Sequence, residues 1–456
     1  MRIALVLLLF SGGVYAQSGG LEKMQEELDK ANKRIEALEK EQEKAKLEAE
    51  LRKELESTPP PSGGSSSGGL ASIPLGGGAQ AKLLDLSIDL LMAAGTSTAQ
   101  NDEIQKLQAG GHDPHIRGFT IQNLELTATG AVDPYFTGEV HLVYFIDRDG
   151  ASQFELEEGF FTTTGLPLGL QVRGGQMFEQ FGRINPQHPH SWNFVDQPVV
   201  LSRFMGEDGL RSQGVEVSWL APTPWYLILL GGVYNATGGT EYSFVNVDEP
   251  PFPGEIGGQR TRSLKDMQYL GRIASNFDLG DTIASTVGGS WVHGPNSTGP
   301  SADTDIWGLD FYLRWKPLET DQGWPFLQFQ AEWMGRQFER GSGFDGTTVF
   351  EHKTYWDWGW YAQVVWGFTP HWTAGVRFDN AHGQLSAEDP DDARHDPRYR
   401  VSAQVTFYPS EFSKIRLQYN YDHASHIDSA HDSQNDEHSI WLQFEFLLGK
   451  HGAHKF

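Results

Sequence analysis

Residues 354–368 read TYWDWGWYAQVVWGF. Taken two apart, they separate cleanly. Thr354, Trp356, Trp358, Trp360, Ala362, Val364, Trp366 and Phe368 form one set, and Tyr355, Asp357, Gly359, Tyr361, Gln363, Val365 and Gly367 form the other. Side chains alternate sides along an extended chain, so the first set makes one continuous apolar and aromatic face. A soluble sheet would need a large partner layer to cover so many aromatics on one strand. Lipid can serve as that layer.

The same alternation recurs from Leu83 onward. Val401, Ala403, Val405 and Phe407 alternate with Arg400, Ser402, Gln404 and Thr406. Ile415, Leu417, Tyr419 and Tyr421 alternate with Lys414, Arg416, Gln418 and Asn420. Sixteen segments of this kind, centred near residues 89, 123, 140, 157, 171, 215, 230, 272, 287, 310, 331, 361, 377, 402, 417 and 443, are the predicted strands. Their connections sort by length. Seven are tight, at 130–133, 165–167, 221–224, 279–281, 317–323, 369–371 and 409–411, and the longest are 177–209, 236–265, 340–352, 384–396 and 424–437. Short turns at one end, long loops at the other and an even strand count describe an outer-membrane barrel with both ends in the periplasm. Trp219, Trp225, Tyr226, Trp315, Trp324, Phe326, Trp366, Phe368, Trp372, Phe407 and Tyr408 cluster beside the tight turns, as an interfacial girdle would. Phe456, in register with the apolar face of the last strand, is similar to the assembly signal of bacterial outer-membrane proteins.

Composition agrees. The 456 residues are 38% hydrophobic and 12% aromatic, with 52 glycines, and no long apolar run follows the first residues. There is no cysteine, which excludes disulfides, thiolate metal sites and a cysteine nucleophile. A net charge of -25 argues against a nucleic-acid partner.

Ahead of the barrel the chain changes character twice. Residues 1–16 read as a signal peptide: Arg2, an apolar run to Phe10, then small residues up to Val14-Tyr15-Ala16. Within 17–56, Leu21, Met24, Leu28, Ala31, Ile35 and Leu38 recur every three or four residues. Acid precedes base by four in Glu26–Lys30, Glu36–Lys40 and Glu48–Arg52. That spacing predicts a periplasmic coiled coil. Residues 57–80 are a Pro/Gly/Ser linker, and 81–456 the barrel.

The polar parity should line a water-filled lumen. It carries Arg314, Arg336, Arg377, Arg400, Lys414 and Arg416 on later strands, and Glu125, Glu139, Glu155 and Glu157 on early ones. Opposed walls of this kind either set up a transverse field across a pore or pair locally. The 177–209 segment holds Phe181, Trp192, Phe194, Val199, Val200, Leu201 and Phe204, too apolar for a solvated loop. It is expected to fold into the barrel as a constriction; packing over the mouth or against a neighbouring subunit is the alternative. Histidines and acids crowd two predicted external loops. His423, His426, His431 and His438 in one, and His382 and His395 in the other, are candidate ligands for zinc or a similar divalent ion.

Two stretches near the C-terminus, PSEFSKIRLQYNYDH (409–423) and HSIWLQFEFLLGKHGAHKF (438–456), resemble the family of zinc-regulated TonB-dependent outer-membrane receptors. So do GFTIQNLELTATGAVDPYFTGEV (118–140) and the segment 182–222. Where such a receptor carries a globular plug, this chain has only the predicted coiled coil and linker, so the resemblance implies a plug-less member. The architecture also resembles the phosphate-selective porins O and P, which implies sixteen strands and a homotrimer in outer-membrane lipid.

The sequence thus predicts an all-β transmembrane barrel of about sixteen antiparallel strands, preceded by an N-terminal α-helical coiled coil. The expected function is porin-like uptake of small solutes, leaning to cations, with zinc as a candidate substrate and no required cofactor. The alternatives are a plug-less receptor for a metal complex, and an envelope tether whose coiled coil contacts the cell wall. No motif with catalytic spacing points to an enzyme.

Overall fold

The structure is a computed structural model. It describes residues 72–449 except 77–78, 83, 109, 148, 247–250, 253–260, 345–347, 385–394 and 426–434. The predicted signal peptide, coiled coil and most of the linker, together with Phe456, lie outside the described residues.

Sixteen antiparallel strands close into one barrel. They are β1 (Leu84–Ser97), β2 (Gly118–Ala131), β3 (Phe136–Ile146), β4 (Ser152–Thr163), β5 (Leu170–Phe178), β6 (Arg211–Leu220), β7 (Leu227–Asn235) and β8 (Met267–Asp278). The circuit continues through β9 (Ile283–Pro295), β10 (Asp303–Trp315), β11 (Phe326–Arg340), β12 (Lys353–Thr369), β13 (Trp372–His382), β14 (Arg398–Ser410), β15 (Ser413–Ala424) and β16 (Asp436–Gly449). Each predicted strand centre falls inside one of them. β16 closes on β1, with Ser439 opposite Ser97 and Gly449 opposite Ser87. Closure leaves no strand edge exposed, a requirement wherever the surroundings offer no hydrogen bonds. Two short helices, α1 (Asn101–Leu107) and α2 (Val199–Met205), sit in long connections at the loop end.

Burial follows the period of two. Along β12, Tyr355, Asp357, Gly359, Tyr361, Gln363, Val365 and Gly367 are buried, while Trp356, Trp358, Trp366 and Phe368 are exposed. Exposed Leu86, Ile88, Val217, Ile273, Leu309, Val376, Val405, Leu417 and Phe444 continue the outer face around the circuit. An apolar belt of that extent marks a transmembrane barrel. The turn-end girdle is largely as expected, with Trp372 on Phe407 at 4.7 Å and Trp366 on Phe368 at 5.6 Å between ring centres. Phe326 and Tyr408 are exceptions. Both share the lining of an internal cavity.

Two β-bulges break the parity on one wall. In β4 the register slips between His141–Glu158 and Leu142–Leu156, leaving Glu157 without an opposite residue. Glu157 and Glu158 are consequently both buried. In β2 the slip falls at Gln122, and Gln122 and Asn123 are both buried.

The outer belt sets an expectation. Leu309→Arg, which places a charge on the lipid face of β10, should cost about 2–4 kcal/mol if it lies near the bilayer midplane. Equilibrium refolding into lipid vesicles measures it.

Candidate functional site: the lumen and its inserted loop

The 179–210 connection folds into the barrel, as its apolar content predicts. Phe181, Ile184, Trp192, Val200, Leu201, Phe204 and Met205 form one buried cluster with Tyr234, Leu270, Val292, Ile306, Met334 and Tyr361 of the wall. The wall makes room with glycine. A Cβ at Gly308 would stand 2.6 Å from the Phe181 ring, and one at Gly359 would stand 2.8 Å from Val200 Cγ2. Burying each large apolar side chain contributes about 1.5–3 kcal/mol.

Polar anchors hold the loop along its length. Ser290 Oγ on β9 accepts from the Gly182 N–H at 3.0 Å. Glu332 on β11 accepts from the N–H groups of Arg183 and Ile184 at 2.9 and 2.8 Å. Asp379 on β13 accepts from Val199 N–H at 3.1 Å, and Gln418 Oε1 on β15 from Val195 N–H at 2.7 Å. At the centre of this set is Asp196, fully buried. Its carboxylate accepts from Arg377 at 2.6 Å, Asn420 at 2.8 Å, and Arg400 and Gln418 at 3.1 Å each.

The basic residues predicted to line the pore do point inward, but the structure shows them engaged. Arg377 also pairs with Asp379 at 2.7 Å, and Arg400 with Asp422 at 2.8 Å. Arg336 pairs with Asp357. Arg416 donates to the Trp192 carbonyl at 2.9 Å and to Gln443 at 2.8 Å. Lys414 contacts Glu445 and the His190 carbonyl. Arg314 lies 5.2 Å from the Phe326 ring centre. Arg336, Arg377 and Arg400 are thus tied to carboxylates of the wall and of the loop, while Lys414 and Arg416 also line an internal cavity.

The acidic wall is different. Glu125, Glu139, Glu155 and Glu157 also point inward, and the β4 bulge adds Glu158. Histidines that the sequence reading did not single out meet them. His141 on β3 places Nδ1 2.6 Å from Glu125 and Nε2 2.8 Å from Glu139. His188, on the inserted loop, sets Nδ1 2.8 Å from Glu157 and 3.2 Å from Glu125, with Nε2 2.9 Å from Glu158. Burial opposes a charge on His188, but Glu125 and Glu157 outweigh it and hold the imidazole well above its usual range. His190 approaches Glu125 at 3.3 Å. Among the described residues, two groups have donor atoms close enough to share a metal ion: Glu125, His141 and His188, and His112, Glu155 and Glu157. At the turn end of this column His190, Trp192, Tyr312, Gln328, Lys414 and Glu445 line a cavity of about 240 Å³.

The predicted histidine ligands are distributed elsewhere. His426 and His431 lie outside the described residues. His423 and His438 belong to strand ends rather than a free loop. His423 bonds Asp436 at 2.6 Å, and His438 bonds Tyr419 Oη at 2.7 Å. His382 stacks on Trp358 at 4.6 Å. These three take the outward parity, beside aromatic rings at the loop-end rim. His395 is buried, stacked 4.1 Å from Phe252 and bonded to the Pro251 carbonyl at 2.6 Å. The four described histidines therefore do not converge on one site.

Removing the central anchor tests the inserted loop. Asp196→Ala leaves Arg377 and Arg400 buried with fewer partners, an imbalance of about 3–5 kcal/mol. Limited trypsin digestion should then cut at Arg183 or Arg203 in the variant, but not in the parent barrel.

No family model matches the chain. An Aquifex aeolicus (strain VF5) protein described as "Uncharacterized protein" is 31% identical, over 83% of this chain and 81% of its own length. Among solved structures, the anion-selective porin from Comamonas acidovorans superposes with a TM-score of 0.50 at 7% identity, covering 80% of this chain and 99% of that one. OprB of Pseudomonas putida gives 0.46 at 10% identity, covering 80% and 94%. At such identities the likeness concerns the fold alone. The chain belongs to the family of the Aquifex aeolicus protein, and its barrel is porin-like.

Proposed function

We propose that the protein is a porin-like channel of the bacterial outer membrane that passes small solutes, favours cations and takes zinc among them. The observation that carries this reading is the asymmetry of the lumen. Arg377, Arg400 and Arg416 are taken up by the inserted loop, whereas Glu125, Glu139, Glu155, Glu157 and Glu158 gather on the other wall, where histidines and two arginines, Arg173 and Arg211, meet them. A sixteen-stranded barrel is wide enough to hold both a folded loop and a water-filled path. An acidic lining concentrates cations in that path. The acidic balance of the whole chain acts in the same direction. A homotrimer in outer-membrane lipid fits the porin-like architecture, and chemical cross-linking in membranes tests it separately.

Planar-bilayer recording tests the channel. The reconstituted protein should conduct steadily and prefer potassium to chloride, with the preference shrinking as salt screens the acidic wall. Strong anion selectivity would contradict the reading. A silent barrel would favour the plug-less receptor instead.

A further inference from the structure

We propose that His112, Glu155 and Glu157, with Asp208 beside them, form a binding site for a zinc-class divalent cation inside the loop end of the lumen. The proposal deepens the channel reading above, on which the site's role in a cation path rests.

His112 lies in the 98–117 connection, yet only 4% of it is exposed. Its Nδ1 is 2.9 Å from the Gln122 carbonyl, within the bulge of β2. A carbonyl oxygen only accepts, so the N–H sits on Nδ1 and the ring is held in one orientation. Metal-binding histidines are commonly oriented in this way, through the nitrogen that does not touch the ion. The other nitrogen, Nε2, is buried and makes no hydrogen bond. It faces Glu157 Oε1 and Asp208 Oδ1, each at 3.9 Å. That spacing is too long for a hydrogen bond but suits a shared ion. Two donors each about 2.1 Å from one ion lie roughly 3–4 Å apart. Donor atoms of His112, Glu155 and Glu157 all lie within 4.8 Å of one another. Arg211 holds Glu155 Oε1 at 3.3 Å, so that carboxylate is already oriented.

One nitrogen and several carboxylate oxygens suit zinc and its first-row neighbours better than the hard, oxygen-only ions. The β4 bulge gives the site a continuation. The second oxygen of Glu157 reaches His188 of the deeper Glu125–His141–His188 group. His190, next along the loop, lines the turn-end cavity. The histidine–carboxylate column thus continues from the first site toward the turn end of the lumen.

The test is zinc chloride titrated calorimetrically into the full-length protein in detergent micelles, at about 0.3 M salt, where the Debye length is about 6 Å and diffuse attraction is screened. Wild-type protein should bind zinc saturably, and His112→Gln should weaken that binding at least about tenfold. Unchanged binding in a variant that keeps the folded barrel's heat-modifiable migration would overturn the site, as would no binding by the wild type. Should His112→Gln not fold, Asp208→Asn, which alters a partly exposed loop carboxylate, should still weaken binding several-fold. An unchanged affinity there would also overturn the proposal. Potassium conductance in the same preparations separates the two readings. Conduction with zinc binding untouched by His112→Gln removes the site alone, whereas His112-dependent binding in a silent barrel removes the channel alone.

Discussion

A single buried carboxylate organises the inside of this barrel. Asp196 is carried to the far wall by the inserted loop, where two arginines and two amides of β13, β14 and β15 converge on it. Removing a carboxylate and two guanidinium groups from water costs several kcal/mol per ion, and the cost is offset only where every charge finds well-placed partners. Here they do, through Asp379 and Asp422 on the arginine side. The apolar side chains of the loop add a driving force but little positional precision. The Asp196 network supplies the register.

That placement gives the two walls different roles. Arginines on β13 to β15 hold the loop, and the loop in turn carries His188 and His190 to the opposite wall. There they meet carboxylates of β2 and β4. The same insertion that occupies the arginines therefore completes the histidine–carboxylate column. A transverse field between free arginines and free glutamates, one of the two readings open from sequence, does not describe this lumen. Local pairing describes the basic side, and convergence of histidines on acids describes the other.

Much of the architecture was legible because lipid imposes a strict period of two. Every one of the sixteen strands could be placed from alternation, and the tight turns from Gly, Pro and Asp between strands. The site was less legible, for local reasons. Glu158 has the wrong parity for a lumen residue until the bulge at Glu157 is known, and bulges leave no mark in alternation. His112 and His188 lie in connections, where sequence spacing does not say which side chains turn inward. The segments GGHDPH (110–115) and PQHPHSW (186–192), with closely spaced histidines between prolines and glycines, were the available signal. Counting histidines favoured the C-terminal loops instead. There, His423 and His438 lie on strand ends, facing outward among tyrosines rather than converging over the mouth.

The central claim is that the loop lies inside the barrel against β12. The chain has no cysteine, so two introduced thiols would be the only ones present. A Cβ at position 359 would stand 2.8 Å from Val200 Cγ2 and 2.8 Å from the Asn380 carbonyl oxygen, so with a small shift of the strand two cysteines there come within reach of the Cβ separation of about 3.5–4.5 Å that a disulfide requires. The direct measurement is therefore oxidation of the double variant Val200→Cys, Gly359→Cys in outer membranes, read by mass spectrometry of the linked peptides. Near-complete cross-linking between loop and wall is expected in the folded barrel. Two free thiols that react with a water-soluble reagent and never pair would contradict it.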